Sequence, residues 1–158
     1  MILCFTLLVG MAHAQVEVTD AERAEVMIAV DDYLRARESG DLEKAHGMFG
    51  AAMRDQLDLD KYRQTEGQRR AQTGPLARFT PLRAMRHDEV PPQFVLDYMA
   101  FYDADVAECG YLVWTSSPGG LTLTRLVSGV LEADLVGTQD GADLMRELGC
   151  IAIPEVQQ

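Results

Sequence analysis

Glu38-Ser39-Gly40-Asp41-Leu42-Glu43-Lys44-Ala45 decides how this chain is read, because it joins two helical patterns through a pair of residues suited to a helix end and a helix start. Glycine ends a helix easily by turning left-handed. An aspartate just before the next helix accepts hydrogen bonds from that helix's unpaired N–H groups. Upstream, Thr19-Asp20-Ala21-Glu22 has the spacing of a capping box, which opens a first helix running to about Ser39. Met27, Val30 and Leu34 recur on one face of it, with Val26 and Tyr33 widening the stripe. Downstream, Asp41 caps a second helix that carries Leu42, Ala45, Met48 and Phe49 inward. Gly47 and Gly50 leave its end open, and the pattern does not decide whether residues 51–56 continue it or form a separate turn.

Further along, a third helix is expected over 59–72, capped by Asp58 or Asp60 and stopped by Gly74-Pro75. Beyond Pro75 the hydrophobic period falls to two. Residues 79–87 read as a first strand, in which Pro81 calls for an edge position or a bulge. After the stiff Pro91-Pro92 turn, Phe94, Leu96, Tyr98 and Tyr102 define one face of a second strand. Val95, Met99 and Phe101 make its other face apolar too, so this strand is expected to be covered on both sides. Residues 109–115 and 121–131 form an antiparallel hairpin about the turn Ser116-Ser117-Pro118-Gly119-Gly120. Asp140 is positioned to cap a last short helix over 141–148, ended by Gly149. Helices first and strands afterwards give segregated layers: an α+β fold of N-terminal helices on a curved antiparallel sheet of about four strands, with a short C-terminal helix.

The first residues bear on compartment. An apolar run from Ile2 to Met11, followed by Ala12-His13-Ala14 and polar Gln15, has the form of a secretory signal peptide cleaved after Ala14. That leaves residues 15–158 as a single domain of the secreted or periplasmic space. The run is far shorter than the ~20 apolar residues that span a bilayer, and no stable membrane insertion is expected. Cys109 and Cys150 would pair in an oxidising compartment, which stabilises the fold by roughly 4 kcal/mol on the chain-entropy argument.

A net charge of −11 argues against nucleic acid as a partner. The charge is unevenly spread: residues 61–87 hold seven Lys and Arg side chains against Glu66 alone. Arg63 and Arg70 are seven residues apart and share a helix face, with Arg69 beside them, so they could clamp a carboxylate or phosphate. The alternative is a solvated face that pairs with acidic neighbours. Only His46 and His87 remain after processing. His46 reads as a solvated side chain, and neither histidine has metal-ligand spacing. No phosphate loop follows a strand, and Ser128 lacks the setting of a nucleophile elbow, so no cofactor or metal is expected. Trp114 reads as core.

The order helix, Gly-Asp joint, helix, third helix and strand meander resembles the nuclear transport factor 2-like superfamily, the α+β cone. Within it the chain is similar to a bacterial secreted group of unknown function. The shared pattern is an aromatic residue, an arginine, then glycine and arginine before the first strand, here Tyr62, Arg69 or Arg70, Gly74 and Arg78. Where that group's last strand bears a tryptophan and a Gly-Tyr pair, this chain has Leu121-Thr122-Leu123-Thr124-Arg125-Leu126. The resemblance covers about residues 20–135. It implies a curved sheet enclosing a pocket and a homodimer through the sheet's outer face.

Some cone proteins are isomerases or dehydratases that hold a base in an apolar pocket, where desolvation lifts a carboxylate pKa toward neutrality. The candidates here are Asp97 and Asp103 with Tyr98, Tyr102 or Tyr111. Adjacent Asp97 and Tyr98 point to opposite faces of a strand, so a working pair must come from different strands. Asp97 and Asp103 read more simply as exposed carboxylates. The leading expectation is therefore a non-enzymatic domain binding a small ligand, anionic ones included, or a protein partner through Tyr62, Arg69, Arg70 and Arg78. The alternative is a cone isomerase or lyase using Asp97 or Asp103 with Tyr98.

Overall fold

The computed structural model describes residues 15–16 and 18–150, and the expected signal segment 1–14 lies outside them. A two-residue strand β1 (Gln15–Val16) precedes helices α1 (Asp20–Ser39), α2 (Leu42–Gly47), α3 (Ala51–Gln56) and α4 (Leu59–Thr73). Strands β2 (Leu76–His87), β3 (Gln93–Tyr102), β4 (Val106–Ser117) and β5 (Gly120–Glu132) follow. A 3-10 turn (Ala133–Leu135) and helix α5 (Gln139–Glu147) complete the described chain. The sheet is antiparallel in the order β1-β2-β3-β4-β5, with β1 paired only to Arg86 and His87. The fold is α+β, helices first, as the change of period indicates.

The joint is built as its residues require. Gly40 closes α1 at φ 82°, and the Asp41 carboxylate accepts from the Lys44 N–H at 3.2 Å. Thr19 and Glu22 form the reciprocal capping box at the start of α1. Asp58, not Asp60, caps α4. Residues 51–56 form a helix of their own, separated from α2 because Gly50 is extended and donates its N–H to Leu123 O at 2.8 Å.

Several boundaries differ from the sequence reading, among them the start of β4, which lies at Val106 and not at 109. β2 starts at Leu76, since an irregularity between Leu76 and Arg78 interrupts the alternation and hides the strand's beginning. A second irregularity between Pro81 and Arg83 is the bulge that Pro81 requires. The last helix is capped by Thr138, whose hydroxyl accepts from the Gly141 N–H at 3.0 Å, while Asp140 sits inside the first turn.

The sheet has two unlike faces. Toward the helices, Phe94, Leu96, Tyr98, Leu112, Trp114 and Leu123 join Val26, Val30, Tyr33 and Phe49 in the main core. On the outer face, Met99, Ala107, Cys109 and Leu131 pack with Met145 and Cys150 in a second cluster. β3 is thus covered on both sides at its Met99 end, while Val95 lies on the half of the outer face that these residues do not reach. Cys109 and Cys150 are within disulfide-bonding distance, their Cα atoms 5.8 Å apart, which ties the end of α5 to the outer face. Leu148 sits on Gly129 so closely that a Cβ there would lie 2.6 Å from it. The described C-terminal residues, up to Cys150, cover one half of the outer face, and no other described segment covers the other half. No helix among the described residues is long and apolar enough to cross a membrane.

Candidate functional site

The side of the sheet that faces the helices is filled. Tyr33, Phe49, Leu96, Leu112, Trp114 and Leu123 are each at most 1 % exposed. Within this packing lies a polar chain. Arg37 Nη2 donates to the Tyr102 hydroxyl at 3.1 Å, and that hydroxyl donates to Glu108 Oε2 at 3.4 Å. The Tyr98 hydroxyl donates to Glu108 Oε1 at 2.5 Å. Burial, reinforced by Glu108, pushes the Tyr98 hydroxyl well above its ordinary value. Tyr102 rises to about 12, with burial the leading cause and Arg37 opposing it. Both tyrosines therefore stay protonated and act as fixed donors. The carboxylate of this interior is Glu108, which the sequence reading passed over. Its signal was the alternation Glu108, Gly110, Leu112, Trp114, which puts it on the core face once the strand is extended back to Val106.

The expected ligand-binding residues are not gathered at one site. Tyr62 is 2 % exposed, its hydroxyl donating to the Tyr33 hydroxyl at 3.4 Å. Arg69 is committed on both sides: Nη2 donates to Glu38 Oε1 at 2.9 Å and Nε to Glu66 Oε2 at 2.8 Å. Arg70 Nη1 donates to Glu38 O at 3.0 Å, and the Leu76 N–H completes the ring around Glu38 at 3.2 Å. These arginines tie α4 and the start of β2 to the end of α1. Pairing with acidic neighbours, the plainer of the two readings, describes Arg69 and Arg70. Arg78 lies elsewhere, its guanidinium 4.2 Å over the ring of Phe101. His46 is not simply solvated. It is half-buried, with Nε2 2.8 Å from Leu57 O, and packs against Phe49 and Tyr62.

The proposed catalytic residues are also separated. Asp103 is exposed beyond the end of β3. Asp97 corrects the expectation of an exposed carboxylate. It is fully buried on the outer face, where Arg83 Nε donates to its Oδ2 at 2.9 Å, while Oδ1 has no hydrogen-bond partner. Burial raises its pKa, and Arg83 acts in the opposite direction. Tyr111 is its cross-strand neighbour on β4, yet no hydrogen bond joins the two. Tyr98 faces away from Asp97 and is committed to Glu108.

The open half of the outer face forms a groove of about 640 Å³. The strand registers set its floor in rows. Arg83, Asp97 and Tyr111 form one row across β2, β3 and β4. Met85, Val95, Val113 and Arg125 form the next, continued onto β5. His87 and Gln93 close one end, where the Gln93 amide donates to Glu89 at 2.8 Å. The middle is apolar and the flanks are cationic. Arg83 uses only Nε on Asp97. Arg125 is exposed, and no carboxylate among the described residues lies within ion-pair distance of it. A sequence signal for this groove existed in the period-2 spacing of Arg83, Met85 and His87, but the Pro81 bulge obscures which face they take.

Comparison of the chain with known protein families, curated proteins and solved structures finds no match.

Proposed function

We propose that this chain is a non-enzymatic domain of the secreted or periplasmic compartment, built on the α+β cone plan, that binds a small ligand or a protein partner through the open half of the outer sheet face. The observation that carries this reading is the contrast between the two faces. The helix-facing side is packed with side chains, whereas the outer groove combines an apolar floor with the guanidinium groups of Arg125 and Arg83, of which Arg83 commits only its Nε to Asp97. The Cys109–Cys150 pair supports an oxidising compartment. The acidic net charge favours partners other than nucleic acid. A homodimer through the outer face would have to use the groove half, because α5 occupies the rest. An Asp–Tyr isomerase or lyase finds no support in the pairing of Asp97 with Arg83 or in the placement of Tyr98 on the opposite face.

The test is native mass spectrometry of the protein recovered from an extracytoplasmic fraction. A bound mass should be lost when the groove floor is blocked by Val113→Arg and retained when the interior is altered by Tyr102→Phe. The reverse pattern, survival of the bound mass in V113R and loss in Y102F, would place the site in the cone and refute the reading.

A further inference from the structure

We propose that the outer groove is a carboxylate-binding site, taking a small molecule with an anionic head and a short apolar body, in which Arg125 and Arg83 hold the head. This rests on the reading of the outer face as the binding surface and adds the chemistry of the ligand.

Four observations carry it. First, the two arginines stand on opposite sides of one groove, on β2 and β5, with β3 and β4 between them. Strands about 4.8 Å apart put their backbones roughly 14 Å from each other across the sheet, within the combined reach of two extended arginine side chains. Both can therefore turn their heads toward the same space above Val95 and Val113. Second, both keep unused donors. Arg83 spends Nε on Asp97, leaving its two terminal amino groups, and Arg125 has no ion-pair partner among the described residues. A planar guanidinium with free N–H groups matches a carboxylate in a paired hydrogen-bond geometry.

Third, Arg83 is oriented by its cross-strand neighbour. Asp97 is fully buried, and its Oδ2 fixes the guanidinium through Nε at 2.9 Å. Asp97 is in this sense a positioning residue, since its oxygens are sequestered from the groove. Fourth, the floor between the arginines is apolar, made of Met85, Val95 and Val113, with the two valines each 8 % exposed. A bare inorganic anion would leave that floor unused, and a purely apolar ligand would leave the guanidinium groups unsatisfied. The other titratable side chains at the groove are His87 and Glu89 at its far end, where Glu89 already accepts from Gln93, and Tyr111 in its floor. The end near Arg83 and Arg125 is consequently the cationic one in a chain whose net charge is −11.

The experiment is an amide chemical-shift titration of the full domain with octanoate, 1-octanol and acetate in parallel. Octanoate should shift the amides of residues 83–87, 95, 111–113 and 125. Octanol and acetate should each bind about tenfold or more weakly, since each lacks one half of the recognition. Arg125→Gln should weaken octanoate by about tenfold, and Arg125→Lys should restore part of that loss as a point charge without the planar fork. Arg125 is exposed, so its variants should keep the wild-type melting temperature, whereas Arg83→Gln also strips a partner from buried Asp97. Octanol binding as tightly as octanoate, acetate as tightly as octanoate, or R125Q leaving octanoate affinity unchanged would each overturn the proposal. So would shifts confined to the helix-facing core. Absence of octanoate binding, together with a native bound mass that V113R removes, would overturn the carboxylate chemistry and leave the binding face standing.

Discussion

Arg37→Met tests whether the polar chain inside the fold is a structural frame. Arg37 is 5 % exposed and touches the Tyr102 hydroxyl at 3.1 Å, Glu38 at 3.3 Å and Glu66 at 3.9 Å, with its guanidinium 5.8 Å from the Tyr33 ring centre. Methionine keeps part of the stem's volume but removes the charge. Glu108, 3 % exposed, then loses the cation that balances it through Tyr102. Breaking a buried charge pair from one side costs about 3–5 kcal/mol, because the remaining charge stays buried and uncompensated. That is a large part of a stability of roughly 5–15 kcal/mol. For a chain of this size it corresponds to a fall in melting temperature of about 10–20 °C. The double variant Arg37→Met with Glu108→Gln should recover at least about 1 kcal/mol of the loss, since the stranded charge is gone while an acceptor for Tyr98 remains. Urea unfolding of the wild type, both single variants and the double variant closes the cycle. A cost of R37M below about 1 kcal/mol, or purely additive effects, would refute the coupling of Arg37 to Glu108.

Three further predictions concern other parts of the molecule. Gly110→Ala places a Cβ 2.0 Å from Val127 O and 2.8 Å from Ser128 Cα, both backbone atoms, so β5 must shift. A loss of about 3 kcal/mol or more in chemical denaturation is expected, and a change within 0.5 kcal/mol contradicts the close approach of β4 and β5. Asp97 has a folded-state pKa raised above its ordinary 3.8, so the folded protein binds more protons than the unfolded chain as pH rises through that range, and stability falls. Asp97→Asn should therefore gain on the wild type in melting temperature as pH climbs above the ordinary aspartate value, and the gap should close below it. A gap that stays constant or shrinks with rising pH would contradict the assigned direction. Replacing Cys109 and Cys150 together by alanine releases a closure spanning 41 residues in sequence and should cost up to roughly 4 kcal/mol, with no free thiol titrating in the secreted protein once residues 1–14, and Cys4 with them, are removed. Two reactive thiols in the folded protein would remove the basis for that figure.

Much of the scaffold is legible in particular residues. Thr19 with Glu22, Gly40 with Asp41, and Gly74 before Pro75 state their structural roles locally, because caps and stops depend on a few neighbouring backbone groups. The change from helical to strand period after Pro75 and the doubly apolar β3 depend on spacing alone. The candidate site is less legible because it is assembled across strands. Asp97 reads as an exposed acidic residue until the register places it between Arg83 and Tyr111 in one cross-strand row. Arg69 and Arg70 look like a ligand clamp until Glu38, more than thirty residues away, is brought between them. Glu108 falls just before the strand's apparent start and so escapes the alternation that would have put it in the core. Arg125 and Arg83 are separated by two intervening strands and a bulge, and only the finished sheet sets them on one face.

In the proposed function, ligands meet this molecule on its outer sheet face and leave the helix-facing core untouched. The most direct measurement is a crystal structure of the protein as recovered with its co-purifying molecule. Density for that molecule over Val95 and Val113, in contact with Arg125 or Arg83, is the predicted result. Density between Tyr98, Tyr102 and Glu108, with the core opened to admit it, would contradict the account.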